Sequence, residues 1–176
     1  MFHLCKIKSV FVLSSLFIFL TGIAYSMEFG DDRCLRAYIF MHDRSEYPSD
    51  EKRSSDIQKV CADPTVTSID FSLMNLIDTD LDDIFSGLVQ REMQPVGSSG
   101  RDELALLNIS CENISEAGLK SFIRKLQKGE KVGGKKTIPD VRNTVLRIGF
   151  PISSEFGQEL QTVAPSVFAG SLRLVY

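Results

Sequence analysis

The chain is 176 residues long, with 20 Lys and Arg against 23 Asp and Glu and a formal charge of −3. An acidic balance excludes binding driven by basic residues that displace counterions from phosphates, so nucleic acid is not an expected partner. Only two histidines are present, which leaves little room for histidine-based metal or triad chemistry.

The amino terminus reads "MFHLCKIK", then the apolar run "SVFVLSSLFIFLTGI", then "AYS" before Met27. Basic region, apolar core and small-residue cleavage site in that order make residues 1–26 an export signal. The run from Val10 to Ile23 spans 14 residues, short of the roughly 20 apolar residues a bilayer requires, so cleavage is expected in place of anchoring. The mature chain would keep 150 residues and a formal charge of −5, a length typical of one domain. Its location would be secreted or periplasmic. No later apolar run is long enough to span a membrane, so no membrane partner is expected after cleavage.

Export permits disulfides. Cys34, Cys61 and Cys111 would remain, an odd count that leaves one unpaired within the chain. Cys34 and Cys61 both precede the patterned region, and a bridge between them would tie down the first segment; Cys111 then reads as a small buried apolar group.

Residues 27–63 form an expected capping segment. "CLRAYIFMH" (34–42) fits helix or strand and is taken as helix. "SDEKRSSDIQKVC" reads as a helix capped by Ser49 that buries Ile57, Val60 and Cys61.

From 64 to 176 the apolar spacing alternates between two periods. Val66, Ile69 and Phe71 mark a strand, and Leu81, Ile84, Phe85, Leu88 and Val89 a helix capped by Asp78 or Thr79. Leu104, Leu107 and Ile109 mark the next strand; Ser115 caps a helix burying Leu119, Phe122, Ile123 and Leu126. Val145 to Ile148 is a third strand, followed after Pro151 by a cap at Ser153 or Ser154 and a helix through Phe156, Leu160 and Val163. Leu172 to Val175 is the fourth. Strands separated by single helices cannot pair as hairpins, so a parallel sheet with right-handed crossovers and helices along one side is expected. The equivalent residues Ile69, Leu107, Leu146 and Leu172 are 38, 39 and 26 apart. The two long gaps contain "QPVGSSGRDE" and "GEKVGGKKTIPDV", which read as surface loops. Without about ten residues for each, the unit falls into the high twenties.

Residues 104–118 resemble the leucine-rich repeat of the ribonuclease-inhibitor type, in which LxxLxLxx(N)xL is followed by a small polar cap, a Gly and a helix. Leu104, Leu107, Ile109, Ile114, Ser115 and Gly118 fall on matching positions. The Asn that the family places after the strand is Glu112 here, Met74 in the first unit and Phe150 or Pro151 in the third. The resemblance covers Val66 to Leu174 and implies a short right-handed βα solenoid of about four parallel strands, preceded by a helical cap.

Side chains alternate across a strand, so the residues between the core positions, Asp70, Asn108, Arg147 and Arg173, would stand in one row. Ser68, Leu106, Val145 and Ser171 would flank it on one side, and Ser72, Ser110 and Gly149 on the other. In the resembled family this face binds proteins, which makes a non-catalytic, exported protein-binding module without cofactor the first functional expectation. An exported hydrolase using carboxylates at the strand ends is the alternative. Self-assembly through the final edge strand or Cys111 is another, compatible with a homo-oligomer.

Other motifs carry less. "GEKVGGKKT" has Gly129, Gly134 and Lys135 of a phosphate loop, but Lys136 stands where Ser or Thr is required and a helix precedes it. In "DTDLDD" Asp78, Asp80 and Asp82 alternate as in a calcium loop, yet Asp83 and Val89 occupy the positions of its Gly and Glu. His42, beside Asp43, reads as exposed. "NIS" at Asn108 and Asn113 would be a glycan acceptor only in a eukaryotic secretory route.

Overall fold

Where apolar side chains recur at every second position the chain runs extended, and where they recur at three and four it coils. The computed structural model describes residues 36–94, 102–110, 112–149, 152–163, 167 and 172–174. Residues 1–26, expected as an export signal, and Cys34, Cys111 and Ser171 lie outside them.

In chain order the elements are β1 (Arg36–Ile39), a 3-10 turn (Arg44–Glu46), α1 (Asp50–Ala62), β2 (Val66–Asp70), α2 (Asp78–Met93), β3 (Leu106–Asn108), α3 (Glu116–Lys128), β4 (Glu130–Val132), β5 (Lys135–Thr137), β6 (Val145–Ile148), α4 (Ser154–Val163) and β7 (Leu172–Leu174). One five-stranded sheet has the order β1-β2-β3-β6-β7, with every pair parallel. The protein is therefore an α/β fold whose sheet strands lie side by side in chain order. Consecutive helices also touch, α1 on α2 and α2 on α3.

Ile69, Leu107 and Leu146 are register partners across β2, β3 and β6, and each is fully buried. With Phe71, Ile109 and Ile148 they form the sheet's contribution to one core, which Leu81, Ile84, Leu88, Leu119, Phe122 and Ile123 complete from the helices. Each such side chain stabilises the fold by about 1.5–3 kcal/mol on transfer from water.

Caps set the helix starts. Ser49 accepts from the Lys52 amide and Ser115 from the Gly118 amide, as the sequence leads one to expect, and Ser153 Oγ accepts from the Phe156 amide at 3.2 Å. Helix α2 differs from the expected cap at Asp78 or Thr79. Ile77 occupies the cap position, and Asp80 reaches back to accept from the Ile77 amide at 2.9 Å.

Two elements depart from the sequence reading. The segment 34–42, expected as helix, contains β1. After Arg36, Ala37 and Ile39 on one face and Tyr38 and Phe40 on the other are apolar or aromatic, which hides the strand period, and the pairing is decided by the neighbouring strand. The Phe40 ring stacks on Phe71 with centroids 4.6 Å apart, and the Phe40 amide donates to the Asp70 carbonyl. The sheet thus starts one strand earlier than expected. The region 129–141, read as a loop, contains an antiparallel hairpin of β4 and β5.

Buried charge ties the first elements together. Asp80, with no exposed surface, accepts from Arg53 Nε at 2.9 Å and from Arg44 Nη1 at 3.2 Å, while Arg53 also donates to Asp50. Burial works against the Arg53 charge, but its bonds to Asp50 and Asp80 outweigh this and hold the guanidinium more basic than usual. Arg91, also buried, donates to the carbonyls of Asp63, Pro64, Val66 and Asp102. These arginines fasten loops to helices.

Cys61 is fully buried and has no disulfide partner among the described residues. Burial pushes its pKa well above the ordinary range.

Candidate functional site

The face of the sheet opposite the buried residues is built by strand alternation alone. Asp70 pairs in register with Asn108, Asn108 with Arg147 and Arg147 with Arg173. Neighbouring strands lie about 4.8 Å apart, so the four backbone positions form a continuous row. Ile39 extends it on β1, a member hidden while that segment was taken as helix. The flanking row is Ala37, Ser68, Leu106 and Val145. Beyond the strand ends Met41 and Leu73 are exposed large apolar residues.

The polar members of the row are not equivalent. Asp70 Oδ1 accepts from Asn108 Nδ2 at 2.9 Å and from the Ser72 amide at 2.8 Å. Asn108, 4% exposed, accepts in turn from the Ser110 hydroxyl at 2.6 Å and its amide at 3.3 Å. The two side chains therefore close the ends of β2 and β3 and satisfy each other, a neutral-to-anionic ladder turned inward on itself. Arg147 is exposed, and among the described residues it has no ion-pair or hydrogen-bond partner for its guanidinium. Sequence alternation finds the row; it does not distinguish the members that are already occupied.

A second ladder runs along the helix starts. Asp78 accepts from the Ser115 amide at 2.8 Å and from its hydroxyl at 2.5 Å. Glu116 accepts from the Ser153 amide and from its hydroxyl at 3.1 Å. In both cases an acid at the first helical position holds the cap serine 37 residues ahead. The spacing is close to the 38-residue step from Asp70 to Asn108.

Carboxylates near the strand ends are engaged elsewhere. Hydrogen bonds from the Ser45 hydroxyl and then its amide hold the Asp43 carboxyl below its usual range, the direction opposite to what a general acid needs. Asp78, Asp80 and Asp82 diverge to Ser115, to Arg53 and Arg44, and to Lys125, so the alternating acids form no shared ligand set. His42 Nδ1 meets Glu46 at 2.6 Å on the surface. A groove of about 780 Å³ runs over α1 and α2, lined by Glu51, Ser54, Gln58, Lys59, Asp63 and Gln90 among others. Glu51 and Asp63 lie about 18 Å apart along the helix, too far to act as one pair.

Comparison of the chain with protein-family models, curated proteins and solved structures finds no match. The leucine-rich-repeat resemblance accordingly rests on the chain's own residues.

Proposed function

We propose that the protein is a non-catalytic, exported binding module: a short, divergent leucine-rich-repeat-like solenoid that recognises a protein partner through its strand face. The observation that carries this reading is the asymmetry of the row. Asp70 and Asn108 satisfy each other, whereas Arg147 stands exposed on β6, beside the last strand of the sheet, without an acidic partner among the described residues. An arginine fork beside half-buried Leu106 and Val145 has the composition of an interface anchor, since Arg is enriched where apolar and polar contacts combine. The recurrent bonds from Asp78 to Ser115 and from Glu116 to Ser153 support the solenoid part of the reading. The hydrolase alternative needs an accessible carboxylate pair, and the bonds that occupy Asp70 and Asp78 weigh against it.

The test is recovery of a partner from the native envelope or medium, with wild type compared with an Arg147→Glu, Arg173→Glu double variant. Reversal of both charges is expected to reduce recovery at least about tenfold, in line with loss of one or two hot-spot contacts. Equal recovery by both proteins would remove the strand face from consideration.

A further inference from the structure

Residues 128–137 hold Lys128, Lys131, Lys135 and Lys136 against Glu130 alone, a local charge of +3 within a chain of formal charge −3. All four lysines are exposed. Among the described residues none of them makes an ion pair, although Lys52, Lys120 and Lys125 each meet a carboxylate. The hairpin register sets Lys131 directly opposite Lys136, where like charges repel. A two-stranded hairpin is marginal by itself, so this arrangement persists because its base is anchored. Gly129 ends α3 at φ 65° and leaves space that Thr137 and Ile138 fill.

Apolar surface adjoins the charge. Ile138, directly after β5, is 48% exposed, and Met93, in the last turn of α2, is 52% exposed; α2 abuts β5. The patch thus combines ammonium groups on flexible stems with two exposed aliphatic side chains. It contains no guanidinium fork and no aromatic ring, the groups that read base edges or stack on bases. Lysines around apolar side chains are instead the chemistry of an anionic lipid interface, where the ammonium groups meet headgroup phosphates and the aliphatic tips enter the acyl boundary.

We propose that the β4–β5 hairpin, with Ile138 and Met93, seats the exported protein on an anionic phospholipid surface. The sequence reading set membranes aside because no segment can span one, and among the described residues no helix is long and apolar enough to do so. Peripheral seating requires no span.

Co-flotation of the exported protein with vesicles at low ionic strength tests this, comparing phosphatidylcholine alone with a mixture containing about one-third phosphatidylglycerol. Binding is expected only to the anionic vesicles, and it should weaken with added salt. A Lys131→Gln, Lys136→Gln variant should partition about 25-fold less well, about fivefold for each lysine, and Ile138→Ser should lower partition further while circular dichroism stays unchanged. Equal binding to both vesicle types, or equal binding by the double variant, would overturn the proposal. So would displacement of the protein from vesicles by duplex DNA acting through the same lysines, which would assign the patch to nucleic acid.

Discussion

Asn108 is a polar side chain in the middle of a sheet, and its environment decides whether it recognises a partner or holds the fold. With 4% exposure it has been removed from water, and an amide removed from water must find partners within the protein. It donates to Asp70 and accepts from Ser110, so its role is to join the ends of neighbouring strands. Asn108→Ala removes one of the two donors to Asp70, which keeps the Ser72 amide, and the acceptor of the Ser110 hydroxyl, and should cost about 1–3 kcal/mol. Asp70→Ala should overlap with that loss. A double-mutant cycle by urea denaturation is expected to give a coupling of about 0.5–3 kcal/mol, and strictly additive losses would mean that the pair does not interact. Arg147 is governed by the opposite condition: it remains exposed to water, which satisfies its donors.

Between elements, the approach of α1 to α2 is set by Gly87. A Cβ there would lie 2.5 Å from Cys61 Cβ and 2.7 Å from the Gln58 carbonyl oxygen. Alanine is favoured over glycine within a helix by about 1 kcal/mol, but overpacking against backbone costs about 1–3 kcal/mol. The clash should win. Gly87→Ala is therefore expected to lower the urea midpoint, whereas Gly157→Ala in α4, where the new Cβ meets only Ile152 at 3.6 Å, should raise it slightly. A rise for both would show that α1 can shift at little cost. The same junction carries the Asp80, Arg53 and Arg44 bonds, which hold the 3-10 turn, α1 and α2 in one arrangement.

For the molecule as a whole, a parallel sheet in chain order means that each unit rests on the one before it, and among the described residues β1 and β7 are the outer strands of the five-stranded sheet. Opening the first unit requires separating α1 from α2, where Cys61 sits with no exposed surface. The thiol should resist alkylation in the native protein and react under denaturing, non-reducing conditions, as read by mass spectrometry of the Cys61 peptide. Alkylation that requires prior reduction would instead show Cys61 in a disulfide, and a Cys34–Cys61 cross-linked peptide in the unreduced digest would establish the expected bridge between the two cysteines that precede the patterned region. Alkylation without unfolding would mean that the first unit opens independently of the rest.

Local periodicity alone places β2, β3, β6 and β7 and aligns Ile69, Leu107, Leu146 and Leu172, because burial on one face forces apolar side chains into alternation. It also locates the caps at Ser49 and Ser115, where a hydroxyl must meet an amide three residues on. It misses β1, apolar or aromatic on both faces after Arg36, and the β4–β5 hairpin, whose facing lysines carry no apolar signal. Short-range chemistry thus specified most of the elements and the order of the row across them. Which polar groups in that row are spent and which are free was decided only by tertiary structure, since Asp70 and Asn108 are 38 residues apart and meet only when the intervening helix packs on the sheet and brings their strands side by side.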